Sequence, residues 1–166
     1  EIFPLATVGS ALFNFCIQFV ILTVAAFAVG GINWENLWLL PLGVMILIVW
    51  GLALALVLSA TNVYLRDTQY LVEVFILVGF WASPIVYSYA MVAGRVPGLF
   101  TELYSWNPIT LGVMGLQGSM WGAADLSHFP PNLEMRMFVV LAIGCVALIL
   151  GQRLFDRMQR DFAQEI

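Results

Sequence analysis

The chain has 166 residues, of which 62% are hydrophobic and only 10% are charged, and its mean hydropathy is +0.96. A soluble domain is nearer to half apolar and about a quarter charged, so this composition predicts a membrane protein. All six cations are arginine, and the lack of lysine excludes an ATPase site of the P-loop type, which needs a lysine after its glycines. The net charge of -4 also excludes a basic surface for nucleic acid.

Long uncharged stretches divide the chain into predicted membrane spans. There are 33 residues without a charge between Glu1 and Glu35 and 30 between Glu35 and Arg66, whereas about 20 apolar residues are enough to cross a bilayer. Stretches of this kind predict four spans, at about residues 5–30, 37–61, 70–90 and 135–152. We therefore expect an all-α membrane protein, a polytopic helical bundle that forms a single transmembrane domain.

The arginines predict how the chain is oriented, because cytoplasmic loops near span ends are enriched in Arg and Lys. Four arginines lie on one side, in the connection after the second span and beyond the last span, and two lie on the other side. Both ends of the chain are therefore expected in the cytoplasm.

The tail at residues 153–166 has the pattern of a short amphipathic helix. Leu154, Phe155, Met158 and Phe162 share one face, and arginines and aspartates occupy the other. This pattern predicts either anchoring along the cytoplasmic membrane surface or docking of a cytosolic partner.

Residues 98–121 are too apolar for a solvated loop, yet glycine-rich and divided by Asn107-Pro108. Such a stretch predicts a re-entrant or interfacial hairpin of two short helices whose backbone is buried against protein. Gly112 and Gly115 belong to a series of glycines three or four residues apart, which favours close helix packing. The alternative is a flexible outer loop.

One polar stripe marks the first span. Ser10, Asn14 and Gln18 follow one another at intervals of four residues, so they share one face of a helix that is otherwise apolar. Unpaired amides are costly in lipid, so the stripe must face a neighbouring helix or the pathway of a polar substrate.

Aromatic residues gather around the ends of the third span and of the hairpin. They are Trp81, Tyr87, Tyr89, Tyr104 and Trp106. An aromatic belt at the membrane interface accounts for this pattern. Contact with a sugar chain is the alternative, because sugar faces stack on rings while hydroxyl and indole groups bind their hydroxyls.

Catalytic and metal-binding constellations are absent from the sequence. His128 stands alone in a loop, no Cys/His spacing suits zinc, and no serine lies near a usable His and Asp. The chain is therefore expected not to be an enzyme, and to hold no metal or cofactor of its own.

The order of several motifs resembles a known family. Asn62-Val63-Tyr64-Leu65-Arg66-Asp67 follows one span, Ser83-Pro84-Ile85-Val86-Tyr87 ends the next, and Asn107-Pro108 opens the glycine-rich segment. The combination is similar to the permease subunit of bacterial ATP-binding-cassette type 2 exporters of polysaccharide and polyol phosphate, which carry O-antigen, teichoic acid and related lipid-linked glycans.

The resemblance implies that this chain is the C-terminal part of a six-span permease, with an amphipathic helix, two spans and a coupling helix before residue 1. It implies a homodimer in the bacterial plasma (inner) membrane, each copy contacting a cytosolic nucleotide-binding ATPase subunit that holds ATP and Mg. The connection carrying Asn62, Arg66 and Asp67 is the expected partner contact. The expected residues of the outer hairpin or gate are Asn107, Pro108, Gly112 and Gly115.

The expected function is ATP-driven export of a lipid-linked polysaccharide, with a pathway lined by the polar stripe and by Trp81, Tyr87, Tyr89 and Trp106. The chain departs from the family where an acidic residue and an arginine often follow the hairpin asparagine, since Met114 and Gln117 stand there. An exporter of drugs or simple lipids is the alternative within transport, and a non-transporting membrane scaffold is the alternative outside it.

Overall fold

The computed structural model describes residues 2–64, 67–121 and 129–161. Within these ranges the chain forms α-helices and one short 3-10 turn at Trp34–Asn36, without a β-strand. The helices are α1 (Ile2–Ala28), α2 (Leu39–Tyr64), α3 (Thr68–Trp81), α4 (Tyr89–Ala93), α5 (Gly98–Ser105), α6 (Pro108–Met120) and α7 (Leu133–Asp161). The predicted all-α class is confirmed.

Three of the described helices are long and apolar enough to cross a membrane. The segments are Gly9–Ala28 in α1, Leu39–Asn62 in α2 and Leu133–Arg157 in α7, with mean hydropathies of 2.1, 2.6 and 2.3. Each has at least the 20 or so residues that a bilayer requires, so the protein is a multi-pass membrane protein. Within the described residues the number of helices of spanning length is three, whereas the sequence predicts four spans.

The prediction of a span at about 70–90 is wrong in its extent. α3 has only 14 residues, which corresponds to about 21 Å. It ends at Trp81 because Pro84 has no N–H to continue the helix and disfavours helical backbone at Ser83. The chain then turns, and the five-residue α4 begins at Tyr89.

The last predicted span and the tail that begins at residue 153 belong to one helix. α7 continues without interruption over 29 residues. It lies against α2 up to the boundary, since a Cβ at Gly151 would lie 3.3 Å from the Ala53 carbonyl oxygen, and beyond the boundary Phe155 is still buried. This continued contact keeps span and tail on one helix axis. Residues 162–166 of the predicted tail lie outside the described residues.

The hydrophobic core lies between α2, α6 and α7. Leu39 and Ile46 of α2, Leu111 and Met114 of α6, and Met137 of α7 are fully buried there. Burying one such side chain contributes about 1.5–3 kcal/mol relative to exposure in water, although in lipid the gain comes from close packing. α6 is therefore enclosed by the two helices of spanning length that follow α1.

Close backbone contact joins α2 and α6. A Cβ placed on Gly43 would lie 2.7 Å from the carbonyl oxygen of Gly112. One placed on Gly115 would lie 2.9 Å from the Leu39 carbonyl oxygen and 3.1 Å from the Gly43 Cα. Only residues without a side chain permit this approach, so the three glycines determine how deeply α6 sits against α2.

Replacing Gly43 with alanine tests this contact. The new Cβ would meet backbone rather than a flexible side chain, so we expect a loss of about 1–3 kcal/mol in the free energy of unfolding. Thermal unfolding of the detergent-solubilised protein measures the change. Gly51→Ala is the matched control on the same helix, because nothing lies within 4 Å of its added Cβ. Equal destabilisation by both variants would contradict the assignment.

Candidate functional site

The predicted aromatic residues meet where α3 ends, near α4 and the hairpin formed by α5 and α6. Tyr87 and Tyr104 are half-buried, Tyr89 is 8% exposed, and Trp81 and Trp106 are exposed by 60% and 39%. We call these five side chains the aromatic cluster. It combines buried phenols with accessible indole rings.

Side-chain donors satisfy the backbone where α3 breaks. The Ser83 hydroxyl donates to the Gly79 carbonyl at 2.8 Å and the Tyr87 hydroxyl to the Trp81 carbonyl at 2.5 Å. From the hairpin, the Gln117 amide donates to the Pro84 carbonyl at 2.8 Å. Irregular backbone at membrane depth is tolerated only when protein groups bind it, so these donors stabilise the break. Gln117 thus contacts backbone at the position where the resembled family often has an arginine.

Stacking fixes the phenol rings of the cluster. The rings of Tyr89 and Tyr104 stack with their centroids 6.0 Å apart, and the Tyr104 hydroxyl makes a long contact of 3.5 Å with the Tyr87 hydroxyl. Burial raises the pKa of Tyr104, and the hydrogen bond with Tyr87 raises it further. Burial also raises the pKa of Tyr89. Both phenols are therefore protonated at neutral pH and act as hydrogen-bond donors.

Arg136, in the first turn of α7, binds the hairpin through its guanidinium. We call its contacts with Glu102 and Ser105 the clamp. Its guanidinium binds the Glu102 carboxylate through two hydrogen bonds of 2.9 and 3.2 Å. It also donates to the Ser105 hydroxyl at 2.6 Å and to the Pro131 carbonyl at 3.0 Å. The arginine side chain is only 11% exposed, whereas that of Glu102 is 57% exposed. Two-point binding of this kind fixes the orientation of both groups.

The same arginine supports the indole of Trp106. Its guanidinium carbon lies 5.1 Å from the centre of the Trp106 ring, within the range of a cation–π contact. The hydrogen bonds from Arg136 are the main reason that the pKa of Glu102 lies below its usual value, and the Trp106 indole adds to this effect. One cation therefore links α7, α5 and the exposed ring.

Asn107 begins α6 as its N-cap. Its side-chain oxygen accepts a hydrogen bond from the Ile109 amide at 3.0 Å, and Pro108 occupies the first helical position, where its missing N–H costs nothing. The division of the hairpin at Asn107-Pro108 follows from this cap. Among the predicted gate residues, Gly112 and Gly115 are buried in contact with α2.

An open groove lies on the surface of the hairpin. Its volume is about 460 Å³, within the range of about 300–1,000 Å³ that is usual for small-molecule sites. The lining residues are Ala82, Phe100, Leu103, Tyr104, Trp106 and Asn107. Aromatic and aliphatic surface therefore predominates, with one amide and one phenol.

Thr110 is fully buried in the first turn of α6. Its hydroxyl lies near the Tyr104 phenol and lowers the pKa of that group, against the larger effect of burial. No local sequence pattern indicates this feature, since threonine is common within apolar helices.

The predicted polar stripe lies on the side of α1 that faces away from α2. Ser10, Asn14 and Gln18 are exposed, whereas the half-buried residues of α1 are Leu12, Phe15, Phe19, Thr23 and Ala26. At 100° per residue the two sets point about 140° apart. Leu12 and Phe15 line an apolar cleft of about 300 Å³ against α2. Within the described residues, no hydrogen bond or ring contact joins the stripe to the aromatic cluster.

The predicted partner contact lies between α2 and α3. Asn62 and Asp67 are exposed at the facing ends of these helices. Arg66 lies outside the described residues. Both described side chains are therefore accessible in this chain.

Sequence reasoning missed the clamp and the Gln117 contact. Arg136 and Glu102 are separated by 34 positions in the chain, so no helical or strand period relates them. The sequence does contain a chemical indication of the ion pair, since a charged residue next to an apolar span requires a partner. Among the described residues, no group of three or more His, Cys, Asp or Glu side chains is placed to hold a metal ion.

Comparison with known proteins gives two relatives with the same name. The O-antigen export system permease protein RfbA of Myxococcus xanthus is 25% identical over 166 residues, which is 100% of this chain and 61% of that protein. The Klebsiella pneumoniae protein of that name is 20% identical over 168 residues, covering 99% of this chain and 60% of the relative. No family model matches the chain.

The chain spans about three fifths of the length of these curated relatives. Their names agree with the sequence resemblance, and the similarity extends over all the helices described above.

The lowered pKa of Glu102 predicts a pH dependence of the clamp. A depressed carboxyl pKa stabilises the fold above the usual value of about 4.3, and this contribution is lost as the pH falls through the depressed pKa. We therefore expect the ion pair to raise the thermal unfolding temperature of the native protein at neutral pH, and this increment to be lost as the pH falls below about 4.3. Glu102→Gln should already be destabilised at neutral pH, and its unfolding temperature should fall less.

Glu35→Gln is the control for this experiment, because Glu35 is also an exposed carboxylate and makes no clamp. Its pH profile should follow that of the unaltered protein. If Glu102→Gln retained the full acid-induced decrease, the clamp would not contribute to stability.

Proposed function

We propose that this chain is the transmembrane subunit of an ABC transporter that exports a lipid-linked polysaccharide across the bacterial plasma membrane. Two copies would enclose the pathway, and ATP hydrolysis in a separate nucleotide-binding subunit would drive the export. The observation that carries the proposal is the similarity to two O-antigen export permeases over essentially the whole chain. No catalytic role is assigned to the chain itself.

The polar face of α1 supports a hydrophilic pathway. Asn14 and Gln18 point away from α2, and the contacts of this chain do not cover them. Amides in this position need polar neighbours, since burial without a partner costs several kcal/mol. A hydrated polysaccharide supplies such neighbours, and repeated weak hydrogen bonds permit it to move.

The aromatic cluster supports the same substrate class. Trp81 and Trp106 expose large rings beside buried, protonated phenols. Sugar rings combine apolar C–H faces with hydroxyl edges, and aromatic residues carrying polar groups match both. The cluster and the α1 stripe would then contact the glycan at separate points along its route.

Coupling to ATP hydrolysis would occur at the connection between α2 and α3. Asn62 and Asp67 are exposed there, at the ends of two helices, and can contact a second protein without unfolding either one. The nucleotide-binding subunit would hold ATP and Mg, since the sequence contains no lysine for a P-loop. Both ends of this chain would lie in the cytoplasm, with α5 and α6 at the outer surface.

An exporter of drugs or simple lipids is the second candidate. The cleft between α1 and α2 favours it, because all its lining residues are apolar or glycine, including Leu12, Phe15 and Gly51. An apolar substrate would use this cleft and would not need the polar face of α1. Export of a glycan should therefore be sensitive to substitutions on the polar face of α1. Export of an apolar substrate should be sensitive to substitutions on the opposite face, which lines the cleft.

Replacing Asn14 and Gln18 together with leucine separates the candidates. Loss of two hydrogen bonds worth about 0.5–1.5 kcal/mol each should slow glycan export by about 5- to 160-fold. Surface glycan is measured by immunoblot in cells that depend on the altered gene. Thr23→Val is the control, because its hydroxyl bonds only to the Phe19 carbonyl, at 2.8 Å. An unchanged amount of surface glycan in the double variant would show that Asn14 and Gln18 do not line the export pathway.

Co-purification with the nucleotide-binding subunit tests the assembly. Glycan-stimulated ATPase activity of the complex is expected, and charge reversal at Asp67 should weaken the association, because Asp67 is exposed at the proposed contact. Glu35→Lys, another exposed carboxylate reversed, serves as the control. Failure of the full-length protein to bind any ATPase would favour a non-transporting scaffold.

A further inference from the structure

We propose that the hairpin groove lined by Phe100, Leu103, Tyr104, Trp106 and Asn107 is a binding subsite for an uncharged pyranose unit of the exported glycan. The inference rests on the proposed function and specifies its substrate class as neutral polysaccharide rather than polyol phosphate. Three properties of the groove carry it: fixed rings, a side-chain amide in its lining and the lack of a cationic residue in that lining.

The rings of the groove are held in place before any ligand binds. Tyr104 stacks on Tyr89 with a centroid distance of 6.0 Å, and Trp106 lies 5.1 Å from the Arg136 guanidinium. A ring that is already oriented loses little conformational entropy when a sugar stacks on it. The groove is thus preorganised for a flat, apolar ligand face.

A single amide provides a directional polar group. The side-chain oxygen of Asn107 is used by the helix cap, through its bond to the Ile109 amide at 3.0 Å. The cap leaves the amide nitrogen with two donors, and this residue lines the groove. A ring hydroxyl of a sugar is the acceptor that would lie within reach when the apolar face stacks on Trp106.

The described residues in and around the groove offer no positive charge to bind a phosphate group. None of the residues that line the groove is cationic, and the nearby Arg136 already donates to Glu102, Ser105 and the Pro131 carbonyl. The ion pair of Arg136 with Glu102 therefore leaves no unpaired positive charge on these two residues for an anion. Proteins bind phosphate chains through Arg, Lys or helix N-terminal amides, and the α6 N-terminus is occupied by its own asparagine. A neutral sugar avoids these penalties.

Arg136 is a positioning residue in this arrangement. It touches no ligand in the groove but contacts the ring of Trp106 and, through Glu102, fixes α5. Loss of Arg136 should therefore weaken sugar binding only while Trp106 is present. A purely structural role would weaken both backgrounds equally, so a double-mutant cycle distinguishes the two.

Saturation-transfer NMR on the full-length permease with its ATPase subunit in lipid nanodiscs tests the proposal. The probes are maltopentaose and mannopentaose as neutral pyranose oligomers, and a glycerol phosphate oligomer as the anionic polymer. We expect signals from the sugar ring protons of the neutral probes, and binding about 2- to 13-fold weaker in Trp106→Leu, the range for loss of one aromatic contact. Trp106→Phe should retain most of the affinity.

Trp38→Leu is the matched control, since Trp38 is also 39% exposed but stacks on Phe138 outside the groove. Its affinity for sugar should be unchanged. Arg136→Gln should weaken binding in the native background and have no further effect in Trp106→Leu. Unfolding temperatures of all variants establish that each is folded.

Several outcomes would overturn the proposal. They are equal effects of Trp106→Leu and Trp38→Leu, equal binding of the phosphate oligomer, absence of binding by both neutral probes, and transfer only to lipid acyl chains. Measuring surface glycan in cells distinguishes failure of the groove assignment from failure of the proposed function. If deleting the gene abolishes surface glycan while Trp106→Leu leaves sugar binding intact, only the groove assignment fails. If deletion leaves the glycan unchanged, the export function fails.

Discussion

Direct contact between the backbones of α2 and α6 is the constraint on which the rest of the structure depends. Gly43, Gly112 and Gly115 bring the two helices so close that a single methyl group would collide with a carbonyl oxygen. In lipid the hydrophobic effect gives little reason for one apolar helix to prefer another, so packing at short range must supply the specificity. This contact buries Leu111 and Met114 and fixes the short helix in place without requiring it to span the membrane.

A fixed α6 makes the interruption of α3 tolerable. Its Gln117 side chain reaches the Pro84 carbonyl at the break, and its cap residue Asn107 lines the groove. Because α3 ends at this break, the Tyr87 hydroxyl can donate to the Trp81 carbonyl and the Tyr89 ring can stack on the Tyr104 ring. The aromatic cluster is thus a product of two short helices and one interrupted helix. A continuous α3 would place the same residues along one straight rod, far from each other.

Composition and periodicity predicted the helical class, the division at Asn107-Pro108 and the shared face of Ser10, Asn14 and Gln18, because each depends on residues close in the chain. Apolar run length overestimated α3, since it counts residues and gives little weight to Pro84. The clamp between Arg136 and Glu102 depends on tertiary contact alone, and no local pattern contains that information. The ends of helices and long-range ion pairs are therefore where sequence reasoning was weakest.

The continuity of α7 has a mechanical consequence. Arg136 and Arg157 lie on one uninterrupted helix, about 30 Å apart at 1.5 Å per residue. A stiff lever of this length converts a tilt of about 5° at one end into a displacement of nearly 3 Å at the other. The ion pair near its beginning depends on contacts within hydrogen-bonding range, so its geometry is sensitive to the tilt of the whole helix. The orientation of α7 therefore matters for the hairpin as well as for the packing against α2.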